Sequence, residues 1–358
     1  DLQVAGRRLF DWDNTLEEFY QALYHGCDAA VFTHVSNVFG FVLPVEEIAA
    51  LCRGAGVPLI IDASQSAGLL PLDFENIPNY KYINENFHGL YYDPENLYTV
   101  PYTYGIVGVI YDANVVDEKD TGGWDLLWNE KYDDKILMFD NSRDAFGIAA
   151  YKLGIDVNTT DKAVWQKAYD ELLAQRPLVY SYVMDEIYNM MASGEAAISS
   201  YYAGDYFTMV DSQADTVDLQ FYYPERTNYF VDAMCIPTCC QNQELAECFI
   251  NFMLSREVAI ANAEYTYYAS PNRLVVENED YISYMNEIKD GGFELMYDEE
   301  SMQTATYYVN LSEKKLVLIN SLWEELKSDI DIGVGIYVIC AVIVVSLVGI
   351  FTFLAVRK

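Results

Sequence analysis

Short apolar blocks and helically spaced apolar positions alternate along the chain. Ala29-Ala30-Val31-Phe32-Thr33 and Val57-Pro58-Leu59-Ile60-Ile61 each have the continuous apolar character of a buried strand. Between them, Pro44 to Cys52 has helical spacing with proline suited to the first turn, and Gly54 and Gly56 end it. Strand, helix, strand predicts a βαβ unit with a parallel pair and a right-handed crossover. Asp62 then falls at the carboxyl end of the second strand, where α/β folds gather ligand contacts. Beyond residue 77 the pattern predicts strands at 98–102 and 106–111, separated by Tyr104-Gly105, and further strands at 136–139, 196–201, 218–222 and 228–236. Helices are predicted after the capping sequence Asp140-Asn141-Ser142, and at 161–174, 184–192 and 243–263, with a short helical turn over Trp124-Asp125-Leu126-Leu127-Trp128. Alternating strands and helices over this length predict an α/β chain large enough for two lobes.

The last segment has another character. Residues 332–356 carry no charge over 25 positions, enough to span a hydrocarbon core of about 30 Å. Arg357 and Lys358 follow immediately, so the positive side faces the cytoplasm and the bulk of the chain lies outside it. The sequence therefore predicts a C-terminal transmembrane helix that anchors an extracytoplasmic protein. No secretory leader is visible in Asp1-Leu2-Gln3-Val4, and the chain begins without methionine, as expected if its natural start lies upstream.

Composition narrows the function. A formal net charge of −34 excludes electrostatically driven nucleic-acid binding, which needs clustered Lys and Arg, and favours cationic ligands or a well-solvated surface. With 52% hydrophobic residues the chain is folded rather than disordered. Seven cysteines with no C-x-x-C spacing give no support for zinc; buried free thiols are the expectation, with a bridge from Cys235 or Cys248 to the Cys239-Cys240 pair as the alternative. Residues 1–73 contain no lysine, whereas the rest holds every lysine and all but two of the tyrosines. That shift marks a join near residue 73.

Thr33-His34-Val35-Ser36-Asn37-Val38 and Ile61-Asp62-Ala63-Ser64-Gln65-Ser66-Ala67-Gly68 resemble the class V aminotransferase and cysteine desulfurase family. The resemblance implies that Asp62 would pair with the pyridine nitrogen of pyridoxal phosphate, and that Gln65 and Asn37 would contact the region of its phenolic oxygen. A carboxylate on that nitrogen makes the cofactor an electron sink. The family continues to a Gly-His-Lys segment whose lysine forms the Schiff base. Here Pro71-Leu72-Asp73-Phe74-Glu75-Asn76-Ile77-Pro78 follows, and the first lysine is Lys81 in an unrelated context. Without that lysine there is no internal aldimine, so no cofactor is expected and the segment reads as a βαβ fragment. A PLP-dependent sulfur-transfer or aminotransferase-type enzyme is the alternative to a binding protein.

Residues 75–330 resemble the spermidine/putrescine-binding proteins of ABC importers. The matching stretches, in family order, include Tyr98-Thr99-Val100-Pro101-Tyr102, Ser142-Arg143-Asp144-Ala145-Phe146-Gly147, Asn158-Thr159-Thr160-Asp161, Ala192-Ser193-Gly194-Glu195 and Tyr268-Ala269-Ser270-Pro271-Asn272. The resemblance implies a two-lobed α/β periplasmic-binding-protein type, the type II solute-binding fold, that binds polyamine between its lobes, works with ABC permease subunits and catalyses nothing. Carried over by position, Asp144 and Asp232 grip amines, Phe230, Tyr202 and Tyr268 form aromatic walls, and Asn141 falls where some members carry another Asp. Tyr104, with Tyr102, edges the cleft or packs in its strand. The chemistry suits a flexible polycation, which needs carboxylates for its ammonium groups and aromatic faces for its methylenes. Each residue also has a plainer reading: Asp144 at a helix N-terminus, Phe230 and Tyr202 as core aromatics. Asp232 lies within an apolar strand, where an unpaired carboxylate would be costly and a cationic partner is expected. The join implies a chimera: 1–73 an aminotransferase-like fragment, 74–330 a solute-binding domain whose first lobe is incomplete, and 331–358 the anchor.

Overall fold

The computed structural model describes residues 11–35, 42–63, 66 and 68–328. The N-terminal unit begins with α1 (Trp12–His25), started by Asp11, whose side chain accepts the Asn14 N–H at 2.9 Å. Then come β1 (Ala30–Thr33), α2 (Val45–Ala55) and β2 (Leu59–Asp62). β1 and β2 pair in parallel, Ala30 opposite Leu59 and Thr33 opposite Asp62, as the βαβ reading expects. Gly56, left-handed at φ 68°, ends α2 with its N–H on the Arg53 and Cys52 carbonyls. Phe19, Phe32, Ile48 and Cys52 form a small core of their own, separate from the main one.

The body is organised around one long strand. β3 (Thr99–Asp112) was expected as two pieces but runs unbroken through Tyr104-Gly105. Its first half pairs with β8 (Tyr229–Cys235), antiparallel, from Thr99 opposite Cys235 to Ile106 opposite Tyr229. Its second half joins another set: β4 (Ile136–Phe139), β5 (Val179–Val183), β6 (Ile198–Tyr202) and β7 (Leu219–Tyr222), in the order β5-β4-β6-β3-β7. β4 is parallel to both β5 and β6, and all four of its side chains are buried, as a parallel strand covered on both faces requires.

The cover comes from helices. α3 (Ser142–Lys152) and α4 (Lys162–Gln175) pack together, and Trp165 on α4 is fully buried. α5 (Ile187–Ala192) and α6 (Ala203–Ser212) follow. The single helix expected over 243–263 is two, α7 (Gln243–Met253) and α8 (Arg256–Thr266). The break at Leu254 is held by the Asn272 side chain, which donates to the Leu254 carbonyl at 3.0 Å. Short helices α9 (Arg273–Val276), α10 (Glu279–Ile288), α11 (Gly292–Met296) and α12 (Glu299–Thr304) lead to α13 (Glu313–Ser328), which packs on α3 and α4.

Among the described residues no helix is long and apolar enough to cross a membrane. The apolar span at 332–356, and Asn37 and Gln65, lie outside the described residues. Cys27, Cys52, Cys235, Cys239, Cys240 and Cys248 are all free. Burial was the expectation for these thiols, but only Cys52 is buried, and Cys235, Cys239 and Cys248 are exposed.

Candidate functional site: a carboxylate beneath a wall of tyrosines

Asn141 sets the geometry of the first carboxylate. Its side-chain oxygen accepts the N–H groups of Arg143 at 2.9 Å and Asp144 at 3.4 Å, so it starts α3 as its cap. That fixes Asp144 in the first turn of the helix, buried at 7% exposure. The neighbouring Arg143 does not pair with it. Its guanidinium lies over the Tyr308 ring at 4.3 Å and donates to the Val157 carbonyl at 2.8 Å and Asn158 at 3.1 Å. Among the described residues Asp144 has no ion-pair partner. Its Oδ2 accepts the Tyr202 hydroxyl at 3.4 Å. Burial pushes its carboxyl up to about 6, against the pull of Arg143 and of the Tyr202 and Tyr308 hydroxyls.

Tyr202, at the end of β6, links this carboxylate to the aromatic wall. Its ring meets Phe230 of β8 edge-on at 5.1 Å, and Phe230 meets Tyr268 at 6.1 Å. Gly105 of β3 lies opposite Phe230 in the ladder, and a Cβ there would come within 2.6 Å of the Phe230 ring. The glycine that looked like a strand break is the space in which Phe230 lies. On the same face of β8, two residues along, Asp232 accepts the Thr103 hydroxyl at 2.9 Å. It was expected to be costly within an apolar strand, but it is exposed and water solvates its charge.

Tyr268 is held from behind. Its hydroxyl donates to Asp205 at 2.8 Å, and Tyr188 donates to the other oxygen of the same carboxylate. Burial pushes the Asp205 carboxyl up, and these two hydroxyls oppose it. Sequence reasoning passed over Asp205, and also Tyr308, whose hydroxyl crowds the Cα of Gly147 on α3 and whose ring carries Arg143. Both sit far in sequence from the residues they touch, and neither lies in a motif. Tyr308 also lines a cavity of about 160 Å³ with Tyr91, Tyr92, Tyr229, Tyr307 and Phe230.

The expected residues therefore divide. Asp144, Tyr202, Phe230 and Tyr268 form one chain of contacts, with Asp232 on the same strand face as Phe230. Asn141 is occupied as a helix cap. Tyr104 packs on Phe87 at 4.6 Å and lines a different cavity, since strand alternation turns it away from the face that carries Gly105. Asp62 is exposed at the end of the isolated two-stranded sheet, and no lysine stands anywhere in residues 11–62. The residues present do not fit pyridoxal phosphate.

Comparison with known proteins bears on this arrangement. The sequence pattern of the bacterial extracellular solute-binding proteins matches residues 57–288, well over half of the chain. The chain belongs to that family. A second pattern, aminotransferase class V, matches residues 9–78, over the N-terminal unit. Among curated solute-binding relatives, the chain is 31% identical over 192 residues to spermidine/putrescine-binding periplasmic protein 1 of Haemophilus influenzae, covering 53% of this chain and 52% of that one. It is 31% identical over 214 residues to the spermidine/putrescine-binding periplasmic protein of Salmonella typhimurium, covering 59% and 61%. It thus spans between half and two thirds of the length of these relatives. The fold is similar to that of a putative spermidine/putrescine ABC transporter protein from Listeria monocytogenes, with a TM-score of 0.65 and 27% identity over 84% of this chain and 98% of that one. The α/β architecture is that of the type II periplasmic solute-binding proteins.

Proposed function

We propose that this solute-binding protein takes a polyamine, spermidine or putrescine, and presents it to the permease subunits of an ABC importer. The observation that carries the reading is Asp144: a buried carboxylate with no ion-pair partner among the described residues, roofed by an aromatic wall. Such a charge is costly until an ammonium group meets it. Tyr202, Phe230 and Tyr268 offer ring faces and edges to methylenes and ammonium groups, and Asp232, exposed on the Phe230 face, suits the far amine. The names of the Haemophilus, Salmonella and Listeria proteins support the same ligand class. The chain binds and does not catalyse.

The domain reading divides the chain at residue 73. Residues 1–73 form the class V-like βαβ fragment, 74–330 the solute-binding domain, and 331–358 a transmembrane anchor that holds the bulk on the extracytoplasmic side. The separate two-stranded sheet and small core support a division, although Gly68, Leu70 and Leu72 already bond to Thr238, Ile236 and Leu97 of the body. So does α7, which leaves an apolar stripe of Leu245, Phe249 and Phe252 at 65%, 58% and 54% exposure, as an incomplete first lobe would. Titration calorimetry of the full chain in detergent with spermidine and putrescine tests the ligand reading. One site per chain is expected for the better ligand, weakened strongly by Asp144→Asn. No heat with either polyamine would contradict it.

A further inference from the structure

β3 has a second face, and the function proposed above leaves it unused. Gly105 turns toward Phe230 and Tyr268, so Tyr104 and Ile106 on either side of it turn the other way. There they line a cavity of about 340 Å³, larger than the one beside Phe230 and formed by different segments. Its floor is aromatic: Tyr104 lies against Phe87 at 4.6 Å and meets Tyr297 edge-on at 6.3 Å. Its walls carry the thioethers of Met296 and Met302, and its rim carries Glu277 and Glu299.

Two observations set this cavity apart from ordinary packing space. Tyr104 is 9% exposed, yet its hydroxyl has no hydrogen-bond partner among the described residues. Its neighbour Tyr297 is satisfied twice, accepting the Ser270 N–H at 3.1 Å and donating to the Tyr281 hydroxyl at 3.3 Å. The ring is buried, while the hydroxyl is accessible from the cavity and leaves its hydrogen bonds to whatever fills it. The second observation is charge. Among the described residues lining the cavity Arg273 is the one cation, held toward the Lys81 carbonyl at 3.0 Å, against the three carboxylates of Glu277, Asp298 and Glu299. Of the lining carboxylates, Asp298 is spent on the Ser301 N–H at the start of α12, but Glu277 and Glu299 are exposed at the rim.

We propose that this cavity is a second binding site, for a small organic cation with an aliphatic body: an alkylammonium whose chain lies over Phe87 and the methionines while its charged end meets the Tyr104 hydroxyl, Glu277 and Glu299. The volume admits roughly ten water-sized groups, enough for such a molecule with some solvent. Because it opens on the opposite face of β3, the site stands whether or not the Asp144 side binds a polyamine.

The test uses the full chain labelled with carbon-13 at the methionine methyl groups and titrated with n-butylammonium chloride. Met296 and Met302 line this cavity and not the one beside Phe230, which separates binding here from binding there. Saturable shifts at both methyls are expected, about tenfold weaker for uncharged n-butanol and for the double variant Glu277→Gln/Glu299→Gln, and several-fold weaker for Tyr104→Phe. Absence of a saturable shift in the wild-type protein would overturn the proposal. So would equal affinity for n-butanol, a comparison that needs no variant and is independent of folding.

Discussion

Binding of a polycation beside Asp144 must be linked to a proton. In the ligand-free fold burial holds this carboxyl at about 6, well above its ordinary value, so at pH 5 only about one molecule in eleven carries the ionised form. Polyamine amines stay protonated across this range, since aliphatic amines titrate near pH 10. Only the ionised carboxylate rewards an ammonium group, so the bound complex has a lower carboxyl pKa and binding at pH 5 expels a proton. Affinity for spermidine should therefore rise about tenfold from pH 5 to pH 7.5 and then level off. The same shift acts oppositely on the ligand-free fold: it is more stable with Asp144 protonated, and that stability is lost as the pH rises from about 4 through 6. Titration calorimetry in two buffers of different ionisation enthalpy measures both affinity and proton release. Asp144→Asn should bind more weakly and lose this slope, whereas Asp205→Asn, which leaves Asp144 in place, should keep most of it. Undiminished binding at pH 5 with no proton released would refute the reasoning.

Other consequences are local and simple to measure. Gly105→Ala would drive a methyl into the Phe230 ring, which should lower stability by roughly 1–3 kcal/mol in thermal unfolding and weaken polyamine binding with it. Ile48→Ala removes a fully buried side chain from the small N-terminal core, a loss of about 2–5 kcal/mol. Because that core is separate, hydrogen exchange should quicken in 11–62 and stay unchanged in the β3 sheet. Under native conditions a thiol reagent should modify Cys239 and Cys248 quickly, Cys235 more slowly because burial raises its thiol, and Cys52 only on unfolding, which peptide mapping resolves.

Much of the architecture was legible because apolar blocks bounded by glycine and proline leave few choices. The βαβ unit follows from such a pattern, β4 from an apolar block between charged residues, and the start of α3 from its capping sequence. Where the reading failed, a tertiary contact decided. Tyr104-Gly105 looks like an interruption, but the glycine is the room Phe230 needs, and the ladder to β8 keeps the strand whole. The break between α7 and α8 has no glycine or proline to announce it; Ser255 starts the second helix, and Asn272 braces the Leu254 carbonyl from a distance. Asp232 was read as buried because its neighbours are apolar, yet the strand turns it outward to Thr103. Motif positions pointed to Asp144, Tyr202, Phe230 and Tyr268, and in the fold these four form one chain of contacts. Asp205 and Tyr308 act through partners remote in sequence, and no pattern in one chain points to them.

The most direct test is a crystal structure of the full chain grown with saturating spermidine. One ammonium group is expected within hydrogen-bond distance of Asp144, methylenes against Tyr202, Phe230 and Tyr268, and the far amine near Asp232. Spermidine bound away from Asp144, or a cleft still empty at concentrations that saturate the relatives' site, would contradict this arrangement.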